Sequence, residues 1–259
     1  MNLEFAFCTT AGNHYKENQD CILFNGGTYQ RTRYQLQGEA TLSAFKMFRI
    51  AIADGVSSSS HPAFASHTLL KGLHALDQQK LYLPPSELCY ELRDYLIKAG
   101  RANQQYRNAA STLVTAEVSE ARTRVWHAGD SRAYRYCSQS KKLTQLTQDH
   151  SFFSELVQDY PELSENADLY KDTIIRGVDN LFSTSPYYDC PTASSTLVDF
   201  RSGDILMLCS DGLTENLSND DIEQLVVWHS CPKTVEKLVT KALSFPIADN
   251  ISVICLKHC

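Results

Sequence analysis

Aspartates recur in this sequence where an apolar run stops. Ile50-Ala-Ile-Ala-Asp54-Gly55 and Asp204-Ile-Leu-Met-Leu-Cys-Ser-Asp211-Gly212 each read as a buried strand ending in Asp-Gly. Asn18-Gln19-Asp20 leads into an early strand, Asp249-Asn250 into the last, and Asp130 lies in His127-Ala-Gly129-Asp130-Ser131-Arg132 between two others. One Asp-Gly after a strand is a plain turn signal. The repetition is what suggests chemistry, because meeting strand ends would gather several carboxylates. Two carboxylates about 4 Å apart repel by roughly 4 kcal/mol at an effective dielectric near 20, so such a cluster calls for cations. An all-oxygen set suits Mg²⁺ or Mn²⁺ and not zinc. Paired divalent ions can acidify water and polarise a phosphoryl group.

The elements that must position these groups are short. Leu3–Thr9, Cys21–Phe24, Phe48–Ala53, Ser111–Val118, Arg124–Ala128, Ala133–Cys137, Ser195–Phe200, Asp204–Cys209 and Ile251–Lys257 are rich in β-branched, aromatic and alternating residues and read as strands. Asn25-Gly26-Gly27 marks a turn, and the polar segment after it, to about Phe45, has no clear assignment. Amphipathic spacing predicts helices over Pro62–Asp77 (Phe64, Leu69, Leu73, Leu76) and Ser86–Tyr106 (Leu88, Leu92, Leu96, Ala99). Ser218 and Asp221 form a capping-box pattern before Ile222, Leu225, Val226 and His229, and a further helix is expected over Pro232–Phe245. Strands are grouped and helices come in pairs, which favours an α+β fold of mostly antiparallel sheets covered by helix pairs over a doubly wound parallel sheet.

Hydrophobic residues make up 43% and charged residues 21% of the 259 positions, values of an ordinary globular protein with enough chain for a large core. A net charge of −6 disfavours nucleic acid or an anionic membrane as main partner. The nine cysteines are scattered without CxxC pairs and read as reduced thiols. The first ten residues carry Glu4 and no basic region before an apolar core, so no secretory signal is expected. No run approaches the ~20 apolar residues of a membrane span. A cytoplasmic monomer is the expectation, as one domain over 1–259 with 151–195 as an irregular flap insertion.

Taken together, Glu17-Asn-Gln-Asp20, Ala53-Asp-Gly55, Ser111-Thr-Leu-Val114, Ala128-Gly-Asp-Ser-Arg-Ala-Tyr134, Leu146-Thr-Gln-Asp-His-Ser151, Cys209-Ser-Asp-Gly-Leu-Thr214 and Ala248-Asp-Asn-Ile-Ser-Val253 resemble the bacterial metal-dependent protein phosphatases, the PPM or protein phosphatase 2C-like family. The segments occur in the family's order along nearly the whole chain. The resemblance implies a four-layer α-β-β-α sandwich with two Mn²⁺ or Mg²⁺ ions at one end. It implies that Asp54 bridges both ions, that the Gly55 carbonyl supports one, and that Asp20, Asp211 and Asp249 complete the shells, partly through water. Bacterial relatives often add a third ion near the position of Asp130, with help from that of Asp211. The implied reaction is attack of a metal-bridging hydroxide on phosphoserine or phosphothreonine, without a phosphoenzyme. The expected substrates are phosphoproteins made by a Hanks-type serine/threonine kinase.

Two segments depart from the family pattern. The arginine that usually grips phosphate five residues before the first aspartate is Tyr15 here. Lys16 is the phosphate-binding candidate in its place, with His14 nearby, although a lysine cannot reproduce a bidentate guanidinium contact. The usual glycine pair after Asp-Gly-x is replaced by Val56-Ser57-Ser58-Ser59-Ser60, and serine restricts the backbone more than glycine. These departures motivate the alternative of a catalytically impaired pseudophosphatase acting as a regulatory binding module.

Overall fold

Strand β1 (Asn2–Thr10) alternates Leu3, Phe5 and Phe7 with Ala6 and Cys8, and each set meets a different apolar layer. That period-two division, repeated in neighbouring strands, builds a sandwich with cores on both sides of each sheet. The structure is a computed structural model describing residues 1–42, 47–76, 83–101, 104–151, 156–157, 159–160, 180–226 and 230–259.

The remaining strands are β2 (Asp20–Phe24), β3 (Gly27–Tyr29), β4 (Arg33–Thr41), β5 (Phe48–Asp54), β6 (Ala110–Ser111), β7 (Leu113–Val118), β8 (Thr123–Ala128), β9 (Arg132–Cys137), β10 (Lys142–Gln145), β11 (Phe182–Ser183), β12 (Ser194–Val198), β13 (Ile205–Cys209) and β14 (Ile251–His258). One six-stranded sheet runs β10-β9-β13-β14-β1-β4 and the other β12-β8-β7-β5-β2-β3. Every strand pairing in both is antiparallel. Phe5, Phe7, Phe24, Ile52, Val114, Leu208 and Ile254 fill the space between the sheets.

Helices α1 (Pro62–Ala75) and α2 (Pro85–Arg101) cover the second sheet through Leu69, Leu73, Leu88, Leu92 and Leu96. A short α3 (Asp211–Thr214), then α4 (Asn219–Val226) and α5 (Cys231–Leu243) cover the first, where Ile222, Val235 and Leu238 meet Cys8, Met207 and Val253. The four-layer α-β-β-α order is the one the family resemblance implied, and antiparallel sheets under helix pairs are what the grouped strands predicted. Each fully buried aliphatic side chain contributes roughly 1.5–3 kcal/mol, so these layers dominate stability.

Several boundaries differ from the sequence reading. The second helix ends at Arg101, and Gln104–Tyr106 forms a separate 3₁₀ turn. The unassigned segment after Gly26-Gly27 forms β3 and β4. Asp77, His229 and most of the expected flap (152–155, 158 and 161–179) lie outside the described residues, while its later part supplies β11 and the start of β12. All nine cysteines are free thiols. No described helix is long and apolar enough to cross a membrane.

Candidate active site

Asp20 opens β2 and Asp54 closes β5, and the antiparallel register sets the two residues directly opposite each other. Directly opposed residues project to the same face, so the two carboxylates come from one sheet side by side. The other sheet supplies Asp211, just after β13, and Asp249, just before β14. Asp130 follows the end of β8. Asp54, Gly55, Asp130, Asp211 and Asp249 line one cavity of about 220 Å³, together with Gln19, Thr112 and residues 56–58. Asp20 lies fully buried behind it.

Backbone segments approach closely around the cavity. Gly12, at φ +69°, lies against the carbonyls of Ala248 and Asp249 where no Cβ would fit, and the Asn13 amide donates to the Ala248 carbonyl at 3.0 Å. Gly55 lies against the Pro62 carbonyl at the start of α1, and its own amide donates to the Gln19 carbonyl at 3.2 Å. Buried Asn250 ties the two sheets together. Its Oδ1 accepts from the Gln19 amide at 2.6 Å, and its Nδ2 donates to the Ala11 carbonyl at 3.0 Å. Ser210 Oγ donates to Asp20 Oδ2 at 2.7 Å and accepts from the Ser252 amide at 2.9 Å.

The electrostatics are those of an unneutralised acid cluster. Burial pushes the Asp20 carboxyl up to about 8; hydrogen bonds from Ser210 and Ser252 oppose that rise, and the Asp211 and Asp249 charges add to it. Burial also raises Asp54 well above the usual range, followed by the charges of Asp20 and Asp211. Asp130 is raised by burial and then by Asp211 and Asp149. Asp20 Oδ1 is buried with no hydrogen-bond partner. An orphaned carboxylate oxygen beside raised carboxyls is a site that a hard cation would satisfy. Among the described residues no three His, Cys, Asp or Glu groups are gathered tightly enough to ligate one ion alone.

Lys16 is exposed on the β1–β2 loop and is not among the residues lining the cavity. Tyr15 is half-buried, its ring edge-on to His14 at 4.6 Å. The serine run is a fixed turn. The Ser59 amide donates to the Val56 carbonyl at 2.8 Å, Ser59 Oγ accepts from the Ala110 amide at 3.1 Å, and Ser60 Oγ donates to the Arg107 carbonyl. His150 braces the other side, stacked on His127 at 4.5 Å and accepting from the Gly129 amide at 3.2 Å. Sequence reasoning assigned no role to Asn18, Ser210 or Asn250. Their adjacency to Asp20, Asp211 and Asp249 was the available signal.

No family model matches the chain. The serine/threonine phosphatase Stp of Listeria welshimeri is 27% identical over 173 residues, which span 65% of this chain and 64% of that protein. The crystal structure of the Mycobacterium tuberculosis serine/threonine phosphatase PstP superposes with a TM-score of 0.75 at 21% identity, covering 100% of this chain and 99% of that one. The PstP catalytic domain in complex with two manganese ions gives 0.66 at 22% identity, covering 98% of each chain. The chain is thus similar to bacterial serine/threonine phosphatases, and its fold is that of the PPM, or protein phosphatase 2C-like, structures.

Proposed function

We propose that this chain is a phosphoprotein phosphatase that hydrolyses phosphoserine and phosphothreonine with the help of Mn²⁺ or Mg²⁺. The observation that carries this reading is the pairing of buried Asp20, one oxygen unpartnered, with Asp54 across the β2–β5 register. Asp20, Asp54, Asp211 and Asp249 would hold two ions with the Gly55 carbonyl, and Asp130 with Asp211 would serve a third. The two manganese ions of the PstP catalytic domain support that count. Bound ions would activate water for direct attack on phosphorus and neutralise charge on the phosphoryl oxygens.

The chain's own residues do the positioning. Ser210 fixes one oxygen of Asp20, so the other faces any cation entering the cluster. Asn250 sets the Gln19 backbone at the rim, and the close approaches at Gly12 and Gly55 fix the two loops beside the carboxylates. Lys16 would meet the substrate phosphate from the β1–β2 loop as a point charge, and Lys16→Ala should raise KM several-fold with little change in kcat. The substrates would be cytoplasmic targets of a Hanks-type kinase.

The deciding assay is phosphate release from a phosphothreonine peptide with Mn²⁺, with Mg²⁺ and with EDTA. Metal-dependent release that is lost in Asp54→Asn supports the proposal. A folded protein that binds Mn²⁺ yet releases no phosphate from any phosphopeptide would favour the regulatory binding module instead.

A further inference from the structure

The acid cavity does not end at the carboxylates. Val56 and Ser58 on its rim also line a second cavity of about 450 Å³, walled by Asn108, Ser185 and Tyr187. Asn108 and Tyr187 in turn line a third cavity of about 710 Å³, which contains Arg93, Arg101 and Arg107 with Tyr106 and Gln104. No carboxylate lines this third cavity among the described residues. In a chain of net charge −6, a groove that leads from a carboxylate cluster to three guanidinium groups is a marked local reversal.

The groove is built rather than incidental. Tyr106 stacks on Phe64 of α1 with centroids 3.8 Å apart, and its carbonyl accepts from Thr184 Oγ1 at 2.7 Å. The Thr184 amide donates to the Ala109 carbonyl at 2.9 Å, and Arg93 Nη2 donates to the Tyr188 carbonyl at 2.6 Å. These contacts fix the walls, while Arg101 and Arg107 remain exposed and Tyr187 is 93% exposed at the junction of the two outer cavities. An arginine fork suits carboxylates, and an exposed tyrosine adds apolar contact area for an extended chain.

Resting on the phosphatase reading, we propose that this groove is a substrate-specificity site that binds acidic residues flanking the phosphoserine or phosphothreonine. Arg101 and Arg107 pair with Asp or Glu side chains of the substrate, and Tyr187 packs on the intervening backbone.

The test compares a phosphothreonine peptide carrying Asp and Glu on both flanks with its Asn/Gln counterpart, in Mn²⁺. Wild type should show a kcat/KM about tenfold higher on the acidic peptide, falling as salt rises. Arg101→Gln with Arg107→Gln should remove that preference through KM, leaving the neutral peptide and p-nitrophenyl phosphate unaffected. Equal rates on both peptides in wild type, or a preference intact in the double variant, would overturn the site. Binding is also read separately, by fluorescence anisotropy of a labelled acidic peptide without phosphothreonine. If no substrate turns over, the phosphatase reading fails alone and anisotropy decides the groove. A Kd raised about tenfold by the double variant supports it, and an unchanged Kd overturns it.

Discussion

Ser210 Oγ donates to Asp20 Oδ2 at 2.7 Å from a position 190 residues further along the chain, joining a loop of one sheet to a strand of the other. It is a buried donor to Asp20, acting together with Ser252. Ser210→Ala removes this bond and also the acceptor of the Ser252 amide. Groups that orient a metal-holding carboxylate typically contribute ten- to a hundredfold in affinity. Mn²⁺ binding measured by calorimetry should weaken by about tenfold, with activity recovering at high Mn²⁺. An unchanged Mn²⁺ affinity would mean that Asp20 needs no orienting partner.

The opposed Asp20 and Asp54 make metal binding visible in stability. A ligand at about 100 times its Kd stabilises the folded state by about 2.7 kcal/mol. In a chain of this size that corresponds to a Tm rise of about 5–10 °C. Thermal unfolding with EDTA and with saturating Mn²⁺ should differ by this margin. Asp54→Asn should melt at a higher temperature than wild type in EDTA, because a buried like charge is gone, and should gain little from Mn²⁺.

Asp204 provides a pH-dependent contribution away from the cleft. Its side chain is almost fully buried and accepts from Arg135 at 2.7 Å, from the Ser138 amide at 2.8 Å and from the Arg201 amide at 3.1 Å. Burial alone would raise its carboxyl, but the Ser138 and Arg201 amides and Arg135 outweigh it and hold the carboxyl below its ordinary value. A depressed carboxyl contributes stability above its unfolded pKa of about 3.9 and loses it as pH falls through the lower folded value. Asp204→Asn weakens these charge-assisted hydrogen bonds and should cost about 1.5–3 kcal/mol at pH 7. Urea unfolding in EDTA should show that gap closing as pH falls below about 3.9 and on through the lower folded value.

Gly55 leaves no room for a methyl group. A Cβ there would overlap the Pro62 carbonyl at the start of α1. Gly55→Ala should cost about 1–3 kcal/mol through overpacking and should lower phosphatase activity beyond what the stability loss explains. Activity measured well below the variant's Tm separates the two effects.

The strands that carry the aspartates were legible because each is apolar on both faces, as in Phe48–Asp54 and Ile205–Cys209. The Ser218–Asp221 capping box was equally legible and forms as read, with Ser218 Oγ accepting from the Asp221 amide at 3.2 Å. β4 was missed because it is an edge strand whose outward face is polar. Its inward Tyr34, Leu36 and Ala40 alternate with arginine and glutamines, and Gly38 yields its place to the Phe5 ring. Convergence of the aspartates could not be read from spacing, because it depends on two sheets meeting in one register. The arginine groove was missed for a related reason. Arg93 and Arg101 lie two turns apart along one side of α2, but Arg107 and Tyr187 are brought to them by the fold, where Thr184 bonds the Ala109 and Tyr106 carbonyls.

The hydrogen bond from the Gln19 amide to Asn250, residues 231 positions apart, closes the rim of the cleft. Contacts that span so much chain form only after a large loop-closure entropy has been overcome, and they belong to the slow part of folding. The acidic ends of the two sheets therefore stay apart until β14 has docked between β13 and β1. On the phosphatase reading, Mn²⁺ uptake during refolding is therefore a readout of native topology rather than of collapse.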